Sequence, residues 1–211
     1  MPEQDLAVVH ADAFLLVLDK PGGLLSVPGR GPDKADCLAV RVQSRYPDAL
    51  VAHRLDRDTS GLIVMARGVA MQRVLSQAFA ARTVTKRYVA VVSGRLAVQE
   101  GDWGTIDLPL ICDWPNRPRQ VVDRVRGKPS LTRWRVLGYD GETTRVELEP
   151  VTGRSHQLRV HLAALGYPIL GDPLYGDAAR SSRLLLHASA LRLTHPASGA
   201  ECAFDSPPPF N

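Results

Sequence analysis

Apolar and polar positions alternate irregularly along this chain, in a pattern that mixes short strands with short helices. Four apolar stretches have the length and composition of buried strands, at residues 13–18, 62–66, 86–93 and 184–194. The first of them is followed by Pro21-Gly22-Gly23, which is a strong turn signal. These stretches predict the inner strands of a β-sheet.

The clearest supersecondary unit in the pattern is a hairpin. Residues 131–137 and 144–149 favour strands, and Asp140-Gly141 between them is a good turn pair. In the second arm, Val146 and Leu148 alternate with two glutamates. Because side chains of a strand point alternately to its two faces, this arm is expected to have one dry face and one wet face.

Helical periodicity is found in three stretches, at about residues 35–46, 69–81 and 155–165. The third is followed by Gly166, a common C-terminal stop. Residues 94–130 are rich in glycine, proline and arginine and predict mainly loops. Since there is no βαβ periodicity or glycine-rich dinucleotide loop, we expect an α+β fold: one domain over residues 1–211, with a mostly antiparallel, mixed β-sheet flanked by helices.

Composition narrows the class of protein. Of the 211 residues, 45% are hydrophobic and 23% charged, as in an ordinary soluble globular protein. The net charge of +4 favours an anionic partner only weakly. Three widely spaced cysteines, without metal-site spacing, indicate reduced thiols. With no signal peptide and no apolar run near 18 residues, we expect a cytoplasmic protein that does not contact membranes.

Residues 53–62 hold the most informative chemistry. Asp56 stands between two arginines, and a Thr-Ser-Gly turn leads from it into the apolar stretch at 62–66. Partial burial raises the pKa of a carboxylate, whereas a paired arginine lowers it by roughly 1–3 units. A nucleophilic aspartate must be anionic at neutral pH, so the effect of the arginine on the pKa has to exceed the effect of burial. The alternative is a turn aspartate that accepts hydrogen bonds from local backbone N–H groups.

A second cluster, residues 152–161, reads Thr-Gly-Arg-Ser-His-Gln-Leu-Arg-Val-His. It predicts a strand end, a glycine turn and a helix start with Ser155 as N-cap. Arg154, Leu158 and His161 are spaced i, i+4 and i+7, which predicts one side of that helix. There Arg154 would reach a carboxylate and Leu158 would pack flat on a base. The alternative is a basic amphipathic helix whose leucines face the core.

Two aromatic positions are accompanied by basic residues. Tyr88 follows Lys86-Arg87, so its hydroxyl is a candidate general acid or base, or its ring a stacking platform; a half-buried strand aromatic is the alternative. Residues 113–120 interleave Trp114 with Arg117 and Arg119 on a proline-stiffened loop. Such residues stack on looped RNA and bind its phosphates, and the alternative is a rigid solvated loop.

Histidines and aspartates also invite a metal hypothesis. The candidate ligands are four histidines and two aspartates near residue 175: His53, His156, His161 and His187, with Asp172 and Asp177. Neither H-x-x-x-H nor H-E-x-x-H occurs, and the glycines and proline around the aspartates suit a structural turn. We therefore expect no metal site.

Several of these segments together resemble the RluA family of RNA pseudouridine synthases. The matching segments, in chain order, are residues 20–24, 53–62, 152–161 continuing into 168–172, and 183–188. Residues 24–30 and 108–118 are further similar to the branch that acts on both 23S ribosomal RNA and tRNA. The resemblance covers nearly the whole chain. It implies a pseudouridine-synthase-like catalytic domain with a central active-site cleft and no S4-like N-terminal RNA-binding module.

The same resemblance implies roles for five side chains. Asp56 is expected to be the nucleophile, Arg154 the partner that orients it, and Tyr88 the tyrosine beside the target base. Leu158 is expected to pack against the uracil, and Arg54 to enter the base stack when the target uridine flips out. Pseudouridine formation involves no redox change and no energy input, so no cofactor is expected.

The function expected from the sequence is isomerisation of specific uridines to pseudouridine in a tRNA anticodon stem-loop and a 23S rRNA hairpin. RNA is then the partner, contacted also by Trp114, Arg117 and Arg119, and the enzyme is expected to be a monomer. A synthase for ribosomal RNA alone is the first alternative. From other classes, a non-catalytic RNA-binding or folding factor and a metal-dependent phosphodiesterase built on Asp172, Asp177 and the histidines remain open.

Overall fold

The computed structural model describes residues 6–31, 34–97 and 102–210. The elements in chain order are β1 (Val8–Ala11), β2 (Leu15–Lys20), α1 (Leu38–Arg45), β3 (Ala49–Val51), β4 (Ser60–Arg67), α2 (Gly68–Ala81), β5 (Thr85–Ser93), β6 (Gly104–Asp107), β7 (Leu110–Cys112), β8 (Gln120–Val122), β9 (Leu131–Asp140), β10 (Thr143–Pro150), α3 (Gln157–Ala164), β11 (Leu186–Thr194) and β12 (Glu201–Asp205). A short 3-10 helix, Ala178–Arg180, precedes β11.

The described residues group into two compact units. The first lies within Met1–Lys86 and Ala188–Pro209, and the second within Arg87–His187 and Phe210–Asn211. The sequence-based expectation of one domain over the whole chain stays a prediction. The α+β class is confirmed, because helices accompany strands that are antiparallel in each pair whose register is described.

The first unit is organised around β4. This strand pairs with β2 and β3, and β11 lies alongside it; β1 extends the sheet beyond β2, and β12 pairs with β11. Seven of its eight residues are buried, which explains why its sequence is a continuous apolar run rather than an alternating one. Helix α2 packs Leu75 into the same core, so the strand is covered on its faces by apolar side chains.

The second unit contains the predicted hairpin. Strand β10 lies between β5 and β9, and β6 pairs with the outer edge of β9. Val146 and Leu148 are fully buried in a core that also holds Leu158 and Leu162 of α3. The turn differs by one residue from the prediction: Asp140 pairs with Thr143, so the loop is Gly141-Glu142.

The polar face of that hairpin carries a network of ion pairs. Glu147 and Glu149 of β10 accept salt bridges of 2.7–3.1 Å from three arginines on the neighbouring strands: Arg87, Arg133 and Arg135. The same three guanidiniums lie 4.8–5.0 Å from the ring of Trp103. The alternation of glutamate with apolar residues is therefore confirmed, and its polar side is a paired surface.

Residues 94–130, which were expected to be mainly loops, contain β6, β7 and β8. The expectation is confirmed for most of the described residues in this range, but the three short strands were not predicted. Strand β6 has only four residues and receives its partners from β9, and β7 and β8 pair with each other in a separate ribbon. Strands of three or four residues leave little hydrophobic periodicity to detect, so their pairing could not be predicted from the sequence pattern.

Asp172 takes part in a buried ion pair with Arg159. The guanidinium Nε and Nη2 donate to the two carboxylate oxygens at 2.8 and 2.7 Å, and the side chains are 2% and 0% exposed. Burial raises the pKa of the Asp172 carboxyl, but hydrogen bonds and charge from Arg159 outweigh it, so the net pKa is lowered. Asp177 accepts a hydrogen bond from the N–H of Ala179 at the start of the 3-10 helix. Both carboxylates thus have local structural roles, as the structural-turn interpretation of this segment predicted.

The described residues lack two features, a cluster of metal-binding side chains and a membrane-spanning helix. No group of three or more histidine, cysteine, aspartate or glutamate side chains there is placed to hold a metal ion. None of the helices in that part of the chain is long and apolar enough to cross a membrane.

The buried pair makes a stability prediction. Asp172→Asn would leave the Arg159 guanidinium buried without its counter-charge, so the free energy of unfolding should fall by about 3–5 kcal/mol. Urea denaturation measures this change. Asp205→Asn is the matched control, because Asp205 is 65% exposed and both of its carboxylate oxygens accept from Arg192 Nη2 at the surface. Equal losses in the two variants would contradict the prediction.

Candidate active site

Asp56 lies in the loop between β3 and β4, where it is half-buried between the exposed Arg54 and Arg57. The residue before it, Leu55, is 7% exposed and anchors the loop to the core. Asp56 also has contacts within the protein. The expected partial burial of this carboxylate is therefore confirmed.

The backbone on both sides of Asp56 is fixed by side chains from residues 20–26. The hydroxyl of Ser26 donates to the carbonyl of Leu55 at 2.8 Å and accepts from its N–H at 3.1 Å. On the other side, the carbonyl of Arg57 accepts from Lys20 Nζ at 2.9 Å and from the Gly23 N–H at 2.9 Å. Because both neighbours are held, the loop presents the Asp56 carboxylate from a preorganised backbone.

Lys20 is 0% exposed. Its ammonium donates to three carbonyl oxygens, those of Pro21, Leu24 and Arg57, at 2.8–2.9 Å. Three acceptors match the three protons of an ammonium group. From the sequence, Lys20 was assigned only to a segment that resembles the family, and its role in holding the loop was not predicted. The signal that could have indicated it is a lysine at the end of an apolar strand.

The Thr-Ser-Gly sequence was predicted to be a turn that leads into a strand, but the strand already begins within it. Thr59 and Ser60 are 2–3% exposed, and β4 begins at Ser60. Gly61 has φ of 108°, and a Cβ there would lie 2.3 Å from the carbonyl oxygen of Ala188. Only glycine fits this close approach of two backbones, so Gly61 fixes where the loop enters the sheet.

His53 connects the start of the loop to β4 and α2. Its Nε2 accepts a hydrogen bond from the Val64 N–H at 2.9 Å, and its ring stacks on Phe79 at a centroid distance of 4.1 Å. An accepting Nε2 requires the neutral ring with the proton on Nδ1. Burial, aided by the charge of Lys86, lowers the pKa of His53 to about 3. His53 is a structural acceptor.

Tyr88 and Leu158 belong to the second unit. Tyr88 is half-buried on β5 opposite Leu148 of β10, and packs against the hydrophobic cluster that includes Leu158, which is 7% exposed. His161, expected on the same side of the helix, is fully buried and hydrogen-bonds Thr132 at 2.9 Å and the Leu108 carbonyl at 3.0 Å. His161 is thus part of the core rather than a pocket edge.

The turn that carries Arg154 differs from the prediction. Helix α3 begins at Gln157, and its N-cap is His156 with φ of 53°, so the expectation that Ser155 is the N-cap was wrong. Arg154 lies before the helix, and the i, i+4, i+7 argument therefore does not apply to it. Its side chain is exposed, with Nε donating to the Pro129 carbonyl at 3.3 Å.

Gln157 explains why the helix starts late. Its Oε1 accepts from the Thr152 hydroxyl at 2.7 Å and from the Arg154 N–H at 3.0 Å. Its Nε2 donates to the Leu131 carbonyl and the Thr132 hydroxyl, both at 3.0 Å. A buried glutamine with four such bonds fixes the turn from inside. Sequence reasoning assigned Gln157 no role, because nothing local distinguishes it from a solvent-facing glutamine.

The loop of residues 113–119 joins β7 to β8 and displays aromatic and basic side chains. Its ends are joined by the Asp113 N–H, which donates to the Arg119 carbonyl at 3.0 Å. Trp114 is 65% exposed, and the Arg117 guanidinium lies 4.6 Å from its ring centroid. Arg119 lies over the ring of Tyr175 at 5.4 Å. The loop therefore offers a preformed stacking surface with adjacent positive charge.

Comparison with known proteins identifies the family of this chain. The family described as RNA pseudouridylate synthase matches residues 14–164. The dual-specificity RNA pseudouridine synthase RluA of Escherichia coli K12 is 49% identical over 209 residues, 97% of this chain and 94% of that protein. RluA of Yersinia pestis is 49% identical over 203 residues, 94% of this chain and 97% of that protein.

Solved structures give the same result for the fold. Human RNA Pseudouridylate Synthase Domain Containing 1 superposes with a TM-score of 0.81 at 31% identity, covering 100% of this chain and 86% of that one. Human RNA Pseudouridylate Synthase Domain Containing 4 gives 0.74 at 27% identity, covering 96% and 88%.

The chain thus belongs to the RNA pseudouridylate synthases, isomerases that act on RNA. Within them it is similar to the RluA enzymes over nearly its full length. The family expectation from the sequence is confirmed. The roles of the individual site residues stay predictions.

The low pKa of His53 predicts acid sensitivity. The unfolded chain takes up a proton here near pH 6.5, whereas the folded chain does so only near pH 3. Protons therefore favour unfolding between these values, and stability is lost as pH falls through that window. Between pH 7 and 4.5, His53 alone should account for a loss of about 2 kcal/mol.

Urea titrations at the two pH values measure this loss. His53→Gln retains an acceptor for the Val64 N–H but cannot be protonated, so its stability should depend less on pH. An unchanged pH dependence in His53→Gln would show that other groups control acid unfolding.

Proposed function

We propose that this enzyme isomerises specific uridines in a tRNA anticodon stem-loop and in a 23S rRNA hairpin, with Asp56 as the nucleophile. The observation that carries the proposal is the half-buried Asp56, held between two backbone neighbours that Ser26 and Lys20 fix in place. The dual specificity is supported by the name of the similar RluA proteins and by the resemblance of residues 24–30 and 108–118.

The proposed reaction breaks the bond between ribose C1′ and uracil N1 and joins C1′ to C5. Asp56 either attacks the sugar or the base, which gives a covalent intermediate, or removes the C2′ proton as the uracil leaves, which gives a glycal, and later returns that proton. In each case the base becomes free to turn. The C5 proton is then removed, with Tyr88 as the candidate base, and N1 ends protonated. Atoms and electrons balance within the uridine, so the step uses no cofactor.

Arg154 supplies the cation that keeps Asp56 anionic in this proposal. A guanidinium suits the role because it stays charged at all relevant pH values and hydrogen-bonds a carboxylate with a rigid fork. Its turn is held from inside by Gln157, which supports a defined position for the side chain. Leu158, beside Tyr88 in one apolar cluster, would pack against the flipped uracil.

RNA binding is assigned to Arg54 and to the 113–119 loop. Unstacking the target uridine costs a few kcal/mol, which an exposed Arg54 entering the stack would offset. Trp114 would stack on a looped base while Arg117 and Arg119 bind phosphates. We further infer a monomer that works in the cytoplasm, in keeping with RNA as its substrate.

The nucleophile is tested with Asp56→Asn. This variant keeps the shape of the side chain but loses its charge, so tritium release from 5-³H-uridine RNA should fall at least about 1,000-fold. RNA affinity, measured by filter binding, should change little. Asp58→Asn is the control in the same loop, because Asp58 is paired with Arg57. Full turnover by Asp56→Asn would exclude the proposed mechanism.

The RNA specificity is tested with tRNA and 23S transcripts assayed separately. The wild type should release tritium from both, and inert tRNA would instead support a synthase for ribosomal RNA alone. Trp114→Ala should raise KM for both by about tenfold, since one base–aromatic stack contributes about 1–3 kcal/mol. Val125→Ala, which removes another exposed apolar side chain, is the control. Equal KM values for the two variants would remove Trp114 from the binding surface.

A further inference from the structure

Tyr175 connects two segments that are far apart in the sequence. Its hydroxyl oxygen accepts a hydrogen bond from the Gln120 N–H at 2.8 Å. The same oxygen shares a hydrogen bond with His156 Nδ1 at 2.7 Å. Gln120 begins β8 directly after the 113–119 loop, and His156 is the N-cap of α3. One phenol thus joins the base of the loop to the turn that carries Arg154.

The loop end of this connection is well defined. The Asp113 N–H closes the loop onto the Arg119 carbonyl, and Gln120 is the next residue along the chain. The Arg119 guanidinium also lies over the Tyr175 ring at 5.4 Å. A shift of the loop when Trp114 stacks on RNA would therefore reach Tyr175 through one hydrogen bond and one cation–π contact.

The turn end is held in a conformation that needs support. His156 has φ of 53°, in the left-handed region that non-glycine residues adopt only at a cost in backbone strain. Its ring meets the Tyr175 ring edge-on at 5.6 Å in addition to the hydrogen bond. Arg154 lies two residues earlier in the same turn, which the Gln157 N–H closes onto the Arg154 carbonyl at 3.2 Å, so the conformation of His156 affects how the Arg154 backbone is oriented relative to α3.

Tyr175 itself is anchored. Its backbone N–H donates to Asp172 Oδ1 at 3.1 Å, and Asp172 is locked in the buried pair with Arg159. The Arg159 guanidinium lies 5.1 Å from the Tyr175 ring centroid. The hydroxyl is therefore presented from a fixed backbone to both the loop and the turn.

We propose that Tyr175 is a positioning residue that couples RNA engagement by the 113–119 loop to the orientation of Arg154. The phenol does not touch the reacting atoms; it acts through His156 and the turn. This inference rests on the proposed function, because it assumes that the loop binds RNA and that Arg154 serves Asp56.

Tyr175→Phe tests the proposal because it removes the hydroxyl and keeps the ring. We expect kcat for the stem-loop substrate to fall about tenfold and KM to rise a few-fold. Tyr139→Phe is the matched control in the same unit: its hydroxyl donates to the Leu96 carbonyl at 2.7 Å, and Arg95 lies over its ring at 4.7 Å. Both variants should lower the melting temperature similarly, but only Tyr175→Phe should change kcat.

Coupling is measured with Trp114→Ala in both backgrounds. If Tyr175 transmits loop engagement, Trp114→Ala should lower kcat/KM by a clearly smaller factor in Tyr175→Phe than in the wild type. Equal factors would overturn the coupling. So would a kcat for Tyr175→Phe that matches that of Tyr139→Phe.

His156 provides the rescue experiment. Asparagine tolerates the left-handed region and places a polar atom near the position of Nδ1, so His156→Asn should keep most of the activity. His156→Ala should reproduce the effect of Tyr175→Phe. Two equally active His156 variants would contradict the proposal. An active Asp56→Asn would instead defeat the proposed function itself, so the two failures are distinguishable.

Discussion

The ammonium of Lys20, buried among three carbonyl oxygens, is the interaction on which the Asp56 loop depends. An ammonium group removed from water is costly unless every proton has an acceptor. Here the acceptors come from its own turn and from Arg57, so the charge can be satisfied only when the two segments are together. Burial of this ammonium therefore constrains the position of the Arg57 backbone relative to the turn that follows Lys20. Ser26 adds the second fixed point, on the opposite side of Asp56.

The second unit follows the same physical rule with different chemistry. A buried amide, Gln157, fixes the backbone of the turn that carries Arg154, and a buried ion pair between Arg159 and Asp172 fixes the segment that follows the helix. In both cases a buried polar side chain forms hydrogen bonds with the segment that it holds in place. A side chain proposed to take part in chemistry, Asp56 or Arg154, is therefore supported by a buried side chain that does not take part in it.

Much of the fold was predictable because its signals are local. The apolar run of β4 and the alternation along β10 identified a buried strand and a two-faced hairpin, and both are present. The start of α3 was not predictable in the same way. Ser155 has the stronger local preference for an N-cap, but Gln157 reaches back to the Arg154 N–H and makes His156 the first boundary residue. Contacts of that kind depend on the folded backbone.

The indole of Trp114 has two faces, and the guanidinium of Arg117 already covers one of them. In the proposed RNA-binding role of this loop, a nucleobase would meet an indole with one face still open. It would stack on the open face, or it would displace the arginine, which could then pair with a phosphate. The second route exchanges an internal contact for an intermolecular one and needs little new ordering of the chain. Such a loop would accept bases of different identity, since exchange of stacking partners does not read hydrogen-bonding edges.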